Sequence, residues 1–393
     1  MRVTTGMIYD NGVSQIQKQN ARLLDTQQQV ATGRRILRPS DDPVASARAL
    51  EVSQSQSVNK LYAANQGYAS DALKLVDSKL DAATDILTYV RTRAVESGNG
   101  AYSAKEQSAI GEDLAQQFDA LLSIGNSKDS TGDYVFGGYR SNAEPFSGSL
   151  AAGIQYQGDQ GARTLQISAS RNLPITSSGD EIFNTIHAPA GSAFALSSAA
   201  NSGTGLVSGV ALASSYNGHA YAVNVGSGPA YSVVDATTGA VVPAAASVSG
   251  TTTTLSFGGV TLKLSGTPTA GDSYNVSTVA STFDVLGNFV GALKSGNADA
   301  TRFAGLQTIA GMDATQESVS RVRSGVGSRM VEVETQQNIN SNLDLQYTQT
   351  LSRLQDADYA QVVSDLTQQQ TYLQAAQQSF LKVSNLSLFN YLN

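Results

Sequence analysis

Residues 362–383 read VVSDLTQQQTYLQAAQQSFLKV, and this stretch decides the fold. Apolar residues and one glutamine recur in it at alternating steps of four and three: Val362, Leu366, Gln369, Leu373, Ala376, Phe380 and Val383. Such a repeat is the heptad pattern by which one α-helix packs along another. The stretch therefore predicts a long helix that needs a partner helix along one side.

The partner helix is predicted at the other end of the chain. There, apolar residues lie seven positions apart, at Ile16, Leu23, Val30 and Leu37. At 1.5 Å per residue, helices over 8–37 and 359–387 would each be roughly 45 Å long, so their lengths match. We expect the two ends to form a matched pair of terminal helices. The apolar residues of both seams, Val383 included, are the predicted assembly interface.

Both terminal segments carry few charges and many glutamines. From Gln368 to Asn393 the only charged residue is Lys382, whereas a soluble helix normally shows charge on its outer face. One hypothesis is that these helices become ordered when copies of the chain assemble, because uncharged faces pack without like-charge repulsion. The alternative is a coiled-coil hairpin within one monomer. Polar seam positions would make an isolated pair weak, which favours assembly; they are Asn20, Gln27 and Gln369.

Two helices joined by a short connection are predicted after the first terminal segment. Asp42 is a typical N-cap, followed by Pro43 at the first helical position, and the helix pattern continues to about Ser97. A capping box formed by Ser103 and Glu106 begins the next helix. Because the connection is short, the two helices are expected to pack antiparallel.

A third long helix, from about Asp313 to Leu354, is predicted to complete a helical bundle. Ahead of it, alternating residues within 133–139, 154–156 and 165–167 predict a β-hairpin with its turn at Gly158–Gly161. This hairpin is expected to lie against the helices.

The segment 188–280 differs from the rest of the chain. Its only charged residues are Asp235, Lys263 and Asp272, and it is rich in small and β-branched residues. Alternating residues on both sides of Gly258-Gly259 predict a β-hairpin. Further strands are predicted at 221–225, 231–234 and 274–276. A disordered linker is the alternative, but the regular aromatic and β-branched spacing favours a small β domain.

Together these elements predict an α+β fold. It consists of a long-helix bundle with paired terminal heptad helices and a β-hairpin, plus an inserted β-rich domain. Three domains are expected: a terminal helical (axial) layer from 1–40 and 358–393, a helical bundle domain with the hairpin from 41–187 and 281–357, and an outer β domain from 188–280.

The composition excludes much chemistry. The 393 residues include no Cys and two His, only 15% are charged, and the net charge is −7. Cys-ligated metals, disulfides and thiol nucleophiles are therefore excluded, and the negative charge argues against nucleic-acid binding. The sequence has no phosphate-binding loop, no zinc-protease motif and no nucleophile elbow. We predict that the protein is not an enzyme and has no cofactor or metal site.

The remaining charged clusters have structural explanations. Asp41 and Asp42 are expected to cap a helix start. Three arginines, Arg34, Arg35 and Arg38, suit the negative end of the first helix's dipole. His187 and His219 are expected in loops or at domain boundaries, since neither has a partner at metal-ligand spacing.

No apolar run approaches the ~18 residues of a membrane span, and the N-terminal residues lack the apolar region of a secretory signal. We therefore expect a soluble protein with no membrane partner. If it leaves the cell, it is expected to use a route that does not cleave a signal peptide.

Residues 27–45, QQQVATGRRILRPSDDPVA, resemble the N-terminal signature of the flagellin superfamily. Within them, the run Pro39, Ser40, Asp41, Asp42 and Pro43 is similar to the version in the hook–filament junction branch of that superfamily. Residues 356–360 and 373–380 resemble the matching flagellin-like tail. Further similarity to the junction branch lies at 134–138, 145–146 and 156–159. The resemblance covers 1–187 and 281–393 but not the insertion.

The resemblance implies an inner layer of paired terminal helices, a helical domain with a β-hairpin and an outward β domain. It implies an extracellular protein of the bacterial flagellum, exported through the flagellum's own channel. The implied partners are a cytoplasmic export chaperone on the C-terminal region, copies of the same chain in a ring, another hook-associated junction protein and flagellin. The implied function is that of a structural adaptor between hook and filament.

Two alternatives remain open at this point. The chain is flagellin itself in the first, and would then grow into long filaments. In the second it is a secreted adhesin whose β insertion binds a surface ligand.

Overall fold

Long helices from both ends of the chain form the frame of the protein. A computed structural model describes residues 5–98, 102–227 and 230–389. Its α-helices are α1 (Thr5–Thr32), α2 (Pro43–Ser97), α3 (Ala104–Gly125), α4 (Thr282–Ser295), α5 (Ala298–Gln355) and α6 (Tyr359–Phe389). A single π-helical turn covers Asp180–Asn184.

The predicted starts of two helices are confirmed. α2 begins at Pro43, and both hydrogen bonds of the capping box are present at the start of α3. α5 begins well before the predicted Asp313. It starts at Ala298 because Asn297 caps it, accepting a hydrogen bond from the Ala300 amide at 3.2 Å.

α4 has no counterpart in the sequence-based prediction. The Ser281 hydroxyl caps its first turn by accepting a hydrogen bond from the Phe283 amide, and Gly296 ends it with φ of 69°. The helix packs closely on α3 at Gly111, where a Cβ atom would lie 3.2 Å from Lys294 Cγ. The helix has only 14 residues and directly follows a β segment. Its apolar pattern is therefore too short to distinguish a helix from a continuation of the strands.

Two hairpins precede the insertion, where the sequence predicts one. β1 (Phe146–Ser149) pairs with β2 (Gly153–Tyr156), and β3 (Thr164–Ser168) pairs with β4 (Arg171–Pro174). A single hairpin closed at Gly158–Gly161 is therefore wrong. The reason is Asp159, whose carboxylate accepts hydrogen bonds from the amides of Tyr139, Arg140 and Gly161 at 2.8–3.1 Å. These bonds hold this segment against the 137–140 bend, and β2 and β3 do not pair.

The insertion contains two antiparallel sheets. β5 (Ile186–His187) lies directly before the insertion, whose own strands are β6 (Phe194–Ser197), β7 (Leu206–Leu212), β8 (Tyr221–Val225), β9 (Tyr231–Asp235), β10 (Val241–Val242), β11 (Ala245–Ser249), β12 (Thr252–Phe257), β13 (Val260–Ser265), β14 (Ser273–Ser277) and β15 (Val279–Ala280). One sheet has the order β10-β9-β8-β14-β6 and the other β11-β12-β13-β7, while β5 pairs with β15 at the base. The hairpin at Gly258-Gly259 and the three predicted strands are confirmed.

Buried side chains form two cores. The larger core joins α2, α3, α4 and α5, with Leu80 and Phe118 among its fully buried members. The smaller core fills the insertion around Leu262 and Tyr274. By its internal contacts the chain forms two compact units: the terminal unit (Met1–Ala64 with Gln337–Asn393) and the central unit (Asn65–Gln336). The three-domain division stays a prediction.

The two carboxylates of the insertion stabilise its turns. Asp235 accepts hydrogen bonds from the amides of Thr237 and Thr238 and lies 2.7 Å from Nδ1 of His219. The hydrogen bond to His219 is the main cause that lowers the pKa of Asp235 to about 2. Asp272 accepts from the amides of three residues in two neighbouring loops: Ser202, Gly203 and Thr269.

Side-chain amides cover the free edge of β6. Asn288 on α4 accepts a hydrogen bond from the Ser197 amide at 3.3 Å and donates one to the Ser197 carbonyl at 2.6 Å. Gln307 on α5 accepts from the Ala195 amide and donates to the Ala193 carbonyl, both at 3.3 Å. The two amide groups thus take the place of a neighbouring strand and attach the sheet to the helices.

Removing both amides is expected to loosen this edge. Each hydrogen bond contributes about 1 kcal/mol net, so the variant Asn288→Ala with Gln307→Ala should speed hydrogen exchange of the Ala195 and Ser197 amides on the order of tenfold. Native-state exchange followed by NMR measures this. Glu317→Ala on the exposed face of α5 is the control, and unchanged exchange in the double variant contradicts the assigned role.

Candidate assembly interface

The two terminal helices pack against each other within one chain. The predicted seam residues Ile16, Leu23 and Val30 of α1 are half-buried, Val362 of α6 is 9% exposed, and Leu366, Leu373, Ala376 and Phe380 of α6 are half-buried. Leu37 lies beyond α1 and is half-buried in the connector to α2. Val383 belongs to α6, but its side chain lies outside the described side chains. Whether these residues meet a second chain stays a prediction.

An aromatic contact closes the pair near its free end. The ring centroids of Tyr9 and Phe380 lie 5.1 Å apart. Gly12 makes room for this contact, because a Cβ atom there would lie 2.6 Å from Phe380 Cδ2. Only the unexpected glycine inside a helical pattern points to this position in the sequence.

The seam of α1 is polar at a different position from the predicted one. Asn20 and Gln27 are exposed, so their predicted seam positions are wrong. Thr26 is buried instead, and its hydroxyl donates to the Arg22 carbonyl and to Gln369 Oε1, at 2.9 and 3.0 Å. From Ile16 onward, the seam positions of α1 follow alternating steps of three and four residues, and Thr26 falls on one of them. Its hydrogen bond to Gln369 is a buried polar contact between the terminal helices.

Several large apolar side chains of the same pair are exposed. Leu24 is 63% exposed, Leu381 61% and Tyr372 54%. The glutamine-rich composition predicts uncharged polar faces outside the seam, and the heptad pattern does not include these residues. An exposed apolar residue alone is ordinary, but here several lie on one pair of helices that carries few charges.

The segment that follows α1 pairs with the segment that precedes α6. We term this pairing the connector clasp (residues 33–35 and 355–357). Arg34 and Asp356 form an antiparallel β-bridge. The Arg35 amide donates to the Gln355 carbonyl at 2.7 Å, and the Ala357 amide donates to the Gly33 carbonyl at 2.9 Å. Gly33 has φ of 68°, a value that glycine adopts without strain.

Arg35 and the superfamily signature complete this region. The Arg35 guanidinium donates to the Leu354 carbonyl at the C-terminus of α5, so it serves α5 and not the dipole of α1 as predicted. Asp41 accepts from the amides of Leu37 and Arg38, which closes the exposed turn that contains Pro39 and Ser40. Asp42 accepts a hydrogen bond from the Ala45 amide, and this bond is the main cause of the lowered pKa of Asp42. Pro43 follows as the first residue of α2.

Reciprocal amide contacts fix α2 against α5 in the terminal unit. Asn59 donates to the Asn340 carbonyl at 2.9 Å, and Asn340 donates to the Asn59 carbonyl at 2.8 Å. Both residues are buried. One turn away, Gln56 donates to Asp344 and Thr348 at 3.0 and 3.1 Å. Buried polar pairs of this kind set the register between helices at some loss of stability.

No group of three or more His, Asp or Glu is arranged to hold a metal ion within residues 5–98, 102–227 and 230–389. In the same part of the chain, no helix combines the length and hydropathy needed to cross a membrane.

The sequence is similar to two flagellar proteins. Residues 3–141 match the family model of the bacterial flagellin N-terminal helical region. The flagellar hook-associated protein 3 of Salmonella typhimurium is 33% identical over 186 residues, which span 47% of this chain and 58% of that protein. The protein of the same name from Escherichia coli is 26% identical over 389 residues, 99% of each chain.

Solved structures of flagellar proteins with similar names also resemble this chain. FlgL of Xanthomonas campestris superimposes with a TM-score of 0.54 at 25% identity, covering 77% of this chain and 99% of the other. The hook associated protein-3 of Legionella pneumophila has a TM-score of 0.55 at 24% identity, covering 77% and 98%, and supports the fold alone.

Breaking the reciprocal asparagine pair is expected to weaken the terminal unit. Asn340→Ala removes the buried hydrogen bond from Asn340 to the Asn59 carbonyl and changes the surroundings of the Asn59 side chain. The free energy of unfolding should therefore fall by about 1 kcal/mol. Thermal unfolding followed by helical circular dichroism measures the change. Asn338→Ala, on the exposed face of the same helix, should leave it unaltered; equal effects of the two variants contradict the proposed role of the pair.

Proposed function

We propose that this chain, which is similar to the flagellin superfamily and to two hook-associated proteins 3, is a structural protein of the flagellar hook–filament junction and joins hook to filament through its terminal helices. It is an extracellular component of the bacterial flagellum. The alternatives of a filament-forming flagellin and of an adhesin are not favoured, because both relatives are hook-associated proteins.

The paired ends of the chain carry this proposal. α1 and α6 come from opposite termini, have one mostly apolar seam with a polar contact in it, and leave Leu24, Tyr372 and Leu381 exposed. Exposed apolar residues on helices with few charges are suited to packing against further helices, since few charges must be desolvated on contact. The terminal layer (1–40 with 358–393) would then be the axial part of an assembly, with the bundle domain around it and the 188–280 domain outermost.

The magnitudes fit assembly of many copies. Fully burying one leucine or phenylalanine contributes roughly 1.5–3 kcal/mol at about 25 cal/mol per Å². Association costs several kcal/mol in lost freedom, so one exposed residue is not enough. Several half-buried seam residues together with the exposed apolar residues exceed that cost when they are buried at once.

The partners follow from this role. The protein interacts with other components of the flagellum; we infer that these are copies of itself in a ring, the other hook-associated junction protein and flagellin. A cytoplasmic export chaperone on the C-terminal region would keep α6 from assembling before export through the flagellar channel. Neither nucleic acid nor membrane is required, and the proposed role involves no catalysis.

Deletion of the gene tests the role directly. Cells are imaged for hooks and filaments, and flagellin is assayed in the medium. Bare hooks with flagellin shed as monomer are the expected result for a junction adaptor. Normal filaments contradict the role, and loss of flagellin from both cell and medium indicates the filament subunit instead.

Charges in the seam are expected to abolish incorporation. Leu366→Asp with Leu373→Asp places two carboxylates between α1 and α6, while the sheets of the insertion lie elsewhere in the chain and should keep their β content. Incorporation into flagella is measured by immunolabelling, and β content by circular dichroism.

The matched control puts the same two charges on exposed valines of the insertion, Val241→Asp with Val248→Asp, which are 74% and 63% exposed in the native chain. This variant should still be incorporated. If the seam variant also yields normal filaments, the terminal helices do not carry the junction.

A further inference from the structure

One edge of the four-stranded sheet in the insertion is open to solvent. β11 (Ala245–Ser249) pairs with β12 on one side, and all five of its residues are exposed. On its other side, no segment within residues 5–98, 102–227 and 230–389 bonds to the backbone of β11. An edge of this kind presents unpaired N–H and C=O groups to a further strand. We term it the β11 edge.

The other edges of the two sheets carry features that discourage pairing with a further strand. β6 is covered by the side-chain amides of Asn288 and Gln307. β10 is two residues long and is followed by Pro243, and a β-bulge interrupts the pairing of β7 with β13. β11 contains neither a charged residue nor a proline, and its register with β12 is regular over its whole length. The β11 edge therefore lacks the protection that the other edges have.

The turn after β11 determines which of its backbone groups face outward. A two-residue turn, 250–251, joins β11 to β12, and the glycine that begins it has φ of 62°, as a type II′ turn requires. The pair that closes such a turn, Ser249 with Thr252, is hydrogen-bonded, and bonded and non-bonded pairs alternate along an antiparallel ladder. Ala246 and Val248 therefore direct their backbone N–H and C=O groups away from β12.

The core face of the sheet continues onto β11 without cover. Directly opposite residues of paired strands lie on the same face, and Val248 lies opposite Thr253 and Ala246 opposite Leu255. Thr253 and Leu255 are buried, whereas Val248 is 63% exposed. A further strand beside β11 would bury part of this apolar surface together with the outward backbone groups.

We propose that β11 pairs antiparallel with β11 of a second copy of the chain, about a two-fold axis at Ser247. In this register Ala246 lies opposite the partner's Val248, and their outward N–H and C=O groups bond to each other. The core faces of both sheets then lie on the same side, so the alternation of the strands is kept. No charged residue lies between Asp235 and Lys263, so two copies meet at this edge without like-charge repulsion.

This contact gives the 188–280 insertion a role in linking chains, beyond the junction role of the terminal helices. A two-fold contact is closed, because it joins one copy to one other. Neighbours in the proposed ring meet head to tail, so the β11 contact would join two free chains or chains of two separate rings. Two short strands offer less area than the ~1,200–2,000 Å² of stable complexes. We therefore expect weak and reversible pairing, with a Kd on the order of 0.1 mM.

Disulfide trapping tests the register of the pair. The native chain has no Cys, so Ser247→Cys introduces a single thiol. In the proposed pair this thiol lies opposite its own copy, at the Cα separation of about 4.5 Å that a non-hydrogen-bonded pair has and a disulfide can bridge. We expect the full-length variant to form a covalent dimer when oxidised glutathione is added, as measured by non-reducing electrophoresis.

The matched control is Ser249→Cys, on the same exposed strand and the same face. Its copy in the pair lies four positions further along the strand, roughly 14 Å away, which is too far for a disulfide. This variant should cross-link at least about tenfold more slowly than Ser247→Cys. Equal rates in the two variants, or no dimer from either as expected if a foreign strand occupies the edge, overturn the proposal.

Charges on the core face give a second readout. Added to Ser247→Cys, Val248→Lys places the two lysines of a pair diagonally across the axis, so cross-linking should slow about tenfold. Mixing Val248→Lys chains with Val248→Glu chains should restore cross-linking between them, because opposite charges then meet. Val241→Lys on β10, where the valine is 74% exposed, should leave the rate unchanged. Failure of the mixture to cross-link contradicts pairing about this axis.

The seam variant separates this contact from the terminal helices. Leu366→Asp with Leu373→Asp lies outside the insertion, so adding Ser247→Cys to it should give the same cross-linking rate as in the native background. A lower rate, with the β content kept in circular dichroism, would mean that the terminal helices bring the copies together. That result overturns an independent role of the β11 edge and leaves the junction role of the terminal helices intact.

Discussion

The antiparallel pairing of α2 with α5 is the constraint on which the other contacts depend. Within the terminal unit it is fixed by the reciprocal bonds of Asn59 and Asn340. Within the central unit Arg323 of α5 binds Asp77 and Asp81 of α2 at 2.9 and 2.8 Å. Once these helices are in register, the start of α2 and the end of α5 lie side by side. The connectors can then pair, and α1 and α6 are brought together although they belong to opposite ends of the chain.

Much of this arrangement could be predicted from the sequence because local chemistry determines it. The caps at Asp42 and Ser103, the Gly258-Gly259 hairpin and the 4-3 repeat of α6 each need only a few neighbouring residues. What could not be predicted depends on distant partners. Asp159 joins two loops, Thr26 replaces Gln27 in the seam because of Gln369, and Arg35 binds the end of α5. The connector clasp has no local pattern either, because its halves lie more than 300 residues apart.

The larger core and the terminal helices differ in how completely they bury their apolar side chains. The larger core contains fully buried leucines and phenylalanines. The terminal helices bury their seam only partly, with Thr26 and Gln369 in contact inside it. Within one chain these seam residues stay half-buried, so a helix from another chain packed along the pair would bury them further. An assembling subunit benefits from that balance, since premature association is disfavoured until several surfaces are offered together.

The connector clasp also affects how the ends of the chain fold. The pairing of α2 with α5 already bears the entropic cost of closing the long loop between the two ends of the chain, and the clasp then fixes the short connectors that remain between these helices and the terminal pair. With Gly33 beside Ala357, the first turns of the pair are already neighbours, and helix formation proceeds outward from the clasp by adding one turn at a time. Opening runs in the reverse direction, from the termini inward. On this view the pairing of α1 with α6 is anchored at the connector clasp. The contact of Tyr9 with Phe380, at the other end of the pair, is then among the last to form and the first to be lost.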